Sequence, residues 1–234
     1  MEKVTTVYWS VFSNLDLLSR QTMLTNKPES LRKNLSKKVN TKNSKLSYIA
    51  CKSYHEFFKN TFTLKHPYTT EWQVSDGNQG GLFIPRPDDS AFIDSYLVDY
   101  DLQWVFFAED DVEIEITPAY LHKKESDKYG YLVAGSYNIS KWFRPISLSW
   151  QLWEKETKIA FTENEPICYL NFRTKNKVVL KQFELTPKLK EISSGCAGLK
   201  TIKPGLELSE LYEKFTRAKR NKVVIKEIKN NLLD

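Results

Sequence analysis

Cysteine and histidine are scarce in this 234-residue chain, and long apolar runs are missing. Each shortage narrows what the protein can be. Cysteine occurs three times, at positions 51, 168 and 196. An odd count at wide spacing, with no C-x-x-C, argues against a disulfide framework or a zinc ribbon, so reduced thiols in an intracellular setting are expected. Histidine also occurs three times, at His55, His66 and His122. Two positions after each stand Phe57, Tyr68 and Lys124, so the paired ligands of a facial metal triad are missing. No apolar run approaches the ~20 residues that cross a bilayer, and the first ten residues do not read as a leader. No membrane partner is therefore expected. G-x-S-x-G, a P-loop and G-x-G-x-x-G are absent too, which removes the common nucleophile and phosphate-cradle motifs.

Apolar and aromatic side chains, at 41% and 13%, are plentiful enough to bury a core. The length suits one β-rich domain. The net charge of +6 is unevenly spread. Residues 27–45 carry seven Lys/Arg against one acid, and 200–230 carry nine against four. Between them, 68–127 carry fourteen Asp/Glu against three Lys/Arg. Basic segments thus flank an acidic centre. They can pair within the fold, pair across a homo-oligomer, or offer a surface to an anionic partner.

The patterning is mostly that of strands. Residues 4–12, 61–65, 69–74, 82–84, 102–107, 112–116, 131–134, 142–153, 158–161, 167–172 and 178–185 all read as β. The run at 102–107 is apolar enough to be buried on both faces. Gly77, Gly80 and Gly81 mark a turn that would join 69–74 and 82–84 as a hairpin. Short helices are expected at 15–23 and 50–59, the latter with Phe57 and Phe58 turned inward. Residues 26–46 read as a basic polar loop or a loosely held helix. Leu208, Leu211, Tyr212 and Phe215 set a helix over 207–221, with cations at its C-terminal end as the helix dipole favours. Ser193, Ser194, Gly195 and Gly198 read as a linker. The expected organisation is a β-rich core over 1–195 and a basic helical tail over 196–234, packed on the core or on a partner.

Three constellations can carry chemistry. Asp99, Asp101, Glu109, Asp110, Asp111, Glu113 and Glu115 are the densest carboxylates, and His66, Glu113 and Glu115 form a candidate set for a divalent metal. The solvent face of an amphipathic strand accounts for the same residues. If 142–153 is one strand, Trp142, Arg144 and Trp150 share a face. With Trp104 they form a candidate ligand site, because an arginine held among tryptophans recognises a carboxylate, a phosphate or a stacked base. A packing stripe with Arg144 at its rim is the alternative. Arg217, Lys219, Arg220 and Lys222 are the candidate nucleic-acid contacts, within the basic segments 27–45 and 214–229; a solvated helix is the alternative. Cys168 reads as core, no catalytic residue is assigned, and no cofactor beyond that divalent metal is expected.

The stretch Trp142-Phe-Arg-Pro-Ile-Ser-Leu-Ser-Trp150, the segment 159–172 and the run 51–67 resemble a group of tailed-phage-encoded proteins of uncharacterised role. The turn Glu163-Asn-Glu-Pro166 before an apolar strand is similar to the closing hairpin of cupin-like jelly rolls. The resemblance implies a phage source, a place in the host cytoplasm or the virion, and a jelly-roll-like sandwich or barrel. It implies no substrate and no catalytic residue. The leading expectation is a non-catalytic interaction or structural protein, with a protein partner or self-association. The alternatives are a cupin-like metal enzyme with a pocket near Trp104, Trp142 and Arg144, and a nucleic-acid-binding protein.

Overall fold

A computed structural model describes residues 3–12, 26–36, 51–74, 83–85, 96–100, 104–154, 157–202 and 205–233. The chain is mainly β. Its strands are β1 (Val4–Val11), β2 (Glu29–Ser30), β3 (Thr61–Lys65), β4 (Thr70–Val74), β5 (Phe83–Pro85), β6 (Tyr96–Tyr100), β7 (Trp104–Ala108), β8 (Glu113–Pro118), β9 (Gly130–Leu132), β10 (Gly135–Asn138), β11 (Leu148–Leu152), β12 (Thr157–Phe161), β13 (Pro166–Arg173) and β14 (Lys177–Gln182). The helices are α1 (Leu31–Ser36), α2 (Lys52–Phe57), α3 (Pro187–Ile202), α4 (Leu208–Arg217) and α5 (Arg220–Asn230). Among the described residues four sheets form, ordered β14-β1-β7, β10-β8-β13-β3-β2, β5-β6-β11-β9 and β12-β4, and none closes into a barrel.

Alternation along the strands sets the layers. Val7, Trp9 and Val11 of β1, with Trp104, Phe106 and Ala108 of β7, face a large core shared with Ile114, Ile116, Cys168, Leu170 and Phe172 of the five-stranded sheet. Tyr8, Val105 and Phe107 point the other way, into a second core that also holds Leu189, Cys196, Leu211, Phe215, Val224 and Ile228 of the C-terminal helices. Strand β7 is therefore buried on both faces, which explains its unbroken apolar run. Tyr169 leaves the five-stranded sheet on its outer side and packs with Leu31, Leu35, Phe58 and Ala119. The order through the molecule is α1 and α2, the five-stranded sheet, the main core, the β1 sheet, then α3–α5.

Several expectations need correction. Residues 193–198 are no linker: they lie inside α3. Leu189, Ser193 and Cys196 recur at helical spacing and are buried, so packing overrides the low helix propensity of Gly195 and Gly198. The boundary at 195/196 cuts this helix, and the second core spans both sides of it. The tail is pinned further, because Phe183 bridges Leu232 and the Glu184 N–H donates to Asn231 O at 2.8 Å. Strand β4 does not pair with β5: it pairs with β12, and β5 pairs with β6. The expected turn between them, and the helix at 15–23, lie outside the described residues. In the basic segment expected as a loop or a loosely held helix, 29–30 is a strand and 31–36 a helix, with 37–46 outside the described residues. The strand expected at 142–153 forms only from Leu148, since Pro145 has no N–H to extend a ladder and makes one isolated bridge to Val105. The helix expected at 207–221 breaks at Lys219, whose φ of 54° is left-handed, and α5 begins beyond it.

Candidate functional site

The tryptophan–arginine constellation is divided between two cores. Trp104 stacks on Trp9 at 5.2 Å, and Trp150 meets Phe161 edge-on at 5.6 Å, both inside the main core. Trp142 packs against Phe215 in the helical core. All three tryptophans are fully buried. Arg144 is half-buried, with its guanidinium 5.3 Å from the Tyr137 ring and donating to Pro145 O. The ligand pocket expected from one shared strand face is not assembled, because the irregular stretch at Pro145 turns Trp142 away from Trp150.

The candidate metal residues are also apart. Pro118 of β8 lies opposite Cys168, at the His66 end of the sheet, while Glu113 lies opposite Arg173. About 16 Å of strand separates the two ends. Glu115 pairs with Arg173 at 2.7 Å, and Glu113 is exposed. The other acids meet different neighbours. Asp110 accepts from Thr5 Oγ1 at 2.8 Å, Glu109 pairs with Lys229, and Asp99 accepts from Ser149 Oγ at 2.7 Å. Hydrogen bonds from Lys141 and Asn138 hold the Asp111 carboxyl below the ordinary carboxylate range. Asp101 lies outside the described residues. Among the described residues no three His, Cys, Asp or Glu converge as a metal cluster.

Two polar clusters sit inside the fold. In the first, the Tyr169 hydroxyl lies 2.6 Å from His122 Nδ1, and His122 Nε2 lies 2.9 Å from Asn34 Oδ1. Asn34 Nδ2 donates to Glu29 at 3.1 Å, and Lys65 pairs with the same carboxylate at 3.0 Å. Asn34 Oδ1 only accepts, so His122 Nε2 donates to it. The Tyr169 oxygen then accepts from the Leu121 N–H at 3.2 Å. This chain ties α1 to the outer face of β13.

In the second cluster, His66 stacks on Phe161 at 4.7 Å, and its Nδ1 donates to Tyr68 O. Burial pushes its pKa down to about 4, so the ring is neutral at pH 7. The turn at 162–165 clips onto it: Asn164, left-handed at φ 64°, donates its N–H to His66 O, and the His66 N–H donates to Glu165 O. The Glu165 carboxylate accepts from Ser126 Oγ at 2.9 Å and from the Thr162 N–H at 3.1 Å. Lys124, equally buried, pairs with Asp127 at 2.7 Å and lies over Trp150. Burial raises the Cys168 thiol pKa strongly, leaving it protonated and unreactive. Both clusters spend their acid–base groups on internal bonds.

The exposed surface with the most recognition chemistry surrounds α2. This helix stands as a ridge between two clefts. One, of about 450 Å³, is lined by Ser30, Arg32, Lys33, Ser36 and His55. The other, of about 720 Å³, is bordered by Glu56, Phe57, Lys59, Glu115, Arg173 and Lys175. Phe57 is 64% exposed, whereas Phe58 is 6% exposed, so only one of the two phenylalanines expected inside is there. Phe58 braces both exposed rings, Phe57 edge-on at 5.0 Å and Tyr54 at 5.4 Å. Tyr120, exposed nearby, rests on Tyr169 at 5.3 Å. Its pKa is raised by partial burial and by the nearby Tyr54 and Glu115. Among the described residues Arg32, Lys33 and Lys175 make no ion pair.

The C-terminal cations lie on the opposite side of the molecule. Arg217 pairs with Glu213 on its own helix, Lys219 and Lys222 are exposed, and Arg220 reaches toward Gly195 of α3. Among the described residues, the cations of 27–36 and those of 214–229 therefore lie on different faces, and 37–45 fall outside the described residues. Sequence reasoning missed Tyr54, Phe57, Lys59, Arg173 and Lys175. A six-residue helix is too short for its period to choose which phenylalanine goes inward, and nothing in the sequence spacing links 52–59 to 173–175. No helix among the described residues is long and apolar enough to cross a membrane. Compared with family models, curated proteins and solved structures, the chain matches none.

Proposed function

We propose that the chain is a phage-encoded, non-catalytic interaction protein whose working surface is the α2 ridge with its two clefts. The observation that carries this reading is the exposure of Phe57 and Tyr54 on a buried brace, flanked by cations, while the buried histidines, Glu165 and Lys124 are engaged inside the fold. An exposed ring held in place by a buried one contributes little to the core and much to a contact. Three unpaired cysteines support a host-cytoplasmic location, and the phage origin rests on the sequence resemblance. We read the stacked sheets as a sandwich. The parallel pairing of β1 with β14 counts against a strict jelly roll, which is built from antiparallel strands.

Two measurements test the reading. Elemental analysis of the purified protein is expected to find no stoichiometric iron, manganese or zinc; one equivalent of any of them would overturn it in favour of a cupin-like enzyme. The double variant Tyr54→Ser/Phe57→Ser is expected to keep the wild-type melting midpoint, as surface substitutions do. Unfolding of that variant would show that the rings serve the fold and not a partner.

A further inference from the structure

We infer that the α2 ridge binds single-stranded nucleic acid. This deepens the interaction reading above and rests on it. Around the ridge stand five cations, Arg32, Lys33, Lys59, Arg173 and Lys175, against two carboxylates, Glu56 and Glu115. One of those carboxylates is already paired with Arg173. Among the described lining residues the first cleft carries Arg32 and Lys33 and no carboxylate, so a phosphate backbone can run there, and the second carries cations and carboxylates together. Along the crest, Tyr54 and Phe57 sit three residues apart on one side of the helix, and exposed Tyr120 rests on Tyr169, which packs in one cluster with Phe58.

Rings in this setting suit stacked bases better than an apolar protein groove. Phe57 and Tyr54 present exposed faces while Phe58 supports them from below. Every base has a π-face, so stacking on such rings is tolerant of sequence, and flanking lysines or arginines track the backbone. The strand must be single. In a duplex the base faces are covered by their neighbours, and a protruding ring has nothing to stack on without paying for unstacking. An acidic protein would meet the cations but leave the exposed crest aromatics without a matched surface.

Fluorescence anisotropy with a labelled short oligothymidylate and a duplex of equal length tests this on the full chain. Binding to the oligothymidylate is expected at low salt and weaker binding to the duplex. Phe57→Ala is expected to weaken the single-strand affinity about tenfold or more, the scale of one lost base stack. Lys59→Ala/Lys175→Ala is expected to make the slope of log K against log salt shallower by about 1.4, two phosphates' worth. Arg217→Ala/Lys222→Ala, on the far side, is expected to change neither. Wild-type circular dichroism and melting of Phe57→Ala exclude misfolding as the cause.

Absence of binding at low salt, equal or tighter binding to the duplex, or an affinity untouched by Phe57→Ala would each overturn the inference. If oligothymidylate stays unbound and light scattering shows a self-association that Phe57→Ala abolishes, the ridge binds protein. The nucleic-acid inference then fails while the interaction reading stands. A stoichiometric metal would instead remove the interaction reading itself.

Discussion

The two outer faces of the molecule are covered in opposite ways. On the β14-β1-β7 side, α3, α4 and α5 cover the sheet completely enough to bury aromatics: Phe215 of α4 closes a continuous second core with Trp142, Phe143 and Phe183. On the β10-β8-β13-β3-β2 side, α1 and α2 cover only part of the sheet, and α2 turns Phe57 and Tyr54 outward. Both faces are basic in sequence, yet among the described residues only one combines its charge with exposed rings. A run of lysines on the helical face is the solvated side of helices doing structural work. The same residue type around α2 borders two clefts.

The sharpest way to break this comparison is to truncate one aromatic on each face. Phe215→Ala is expected to cost about 3–5 kcal/mol, because it removes a buried ring packed on Trp142. Phe57→Ala is expected to stay within about 0.5 kcal/mol. Chemical denaturation measures both, and similar costs would erase the distinction between a packing face and a contact face.

A pH series separates the sheet ends. His66 has a folded pKa near 4, below the value of about 6.5 in the unfolded chain. Between those values the unfolded state binds the extra proton, so stability rises with pH. Stability from this residue is fully present above about pH 6.5 and is lost as pH falls toward 4, by up to about 3 kcal/mol. His66→Gln should flatten that part of the curve; an unchanged slope would mean that His66 is not the titrating group.

Next in size is Tyr169→Phe, which removes the hydroxyl between His122 and Leu121 and leaves two buried polar atoms without it. The expected cost is about 1–3 kcal/mol, read by urea unfolding. The last effect is opposite in sign. Gly198→Ala lies in α3 with nothing within 4 Å of its new methyl group, and is expected to stabilise by about 0.5–1 kcal/mol. A destabilised variant would argue against a helix through residues 193–198.

Much of the fold was legible because some strands carry unambiguous periods. Alternation places β1 and β8, and the unbroken run of β7 announces a strand between two cores. What failed had competing physics. Turn residues at 75–81 suggested a hairpin, but β4 pairs with β12, a choice set by long-range packing that local turn chemistry does not report. Serines and glycines at 193–198 suggested a linker, although Leu189, Ile192 and Cys196 already carried helical spacing. The site was less legible than the fold. Alternation does place Glu113 and Glu115 away from the core. Nothing in the spacing reveals that residues 32–33, 54–59 and 173–175 share one surface, because three strand pairings assemble it.

Strand β1 lies between β14 on one side, in parallel, and β7 on the other. Val4 sits beside Lys177, so β1 receives one of its neighbours only long after it has itself been synthesised. Until then its Val7, Trp9 and Val11 have no complete sheet to enter. Contacts this distant in sequence are slow to form, and an unpaired apolar strand is open to wrong pairings in the meantime. The nascent chain is therefore expected to depend on chaperones until synthesis passes β14. Moving β1 by circular permutation to follow β14 would shorten that vulnerable interval.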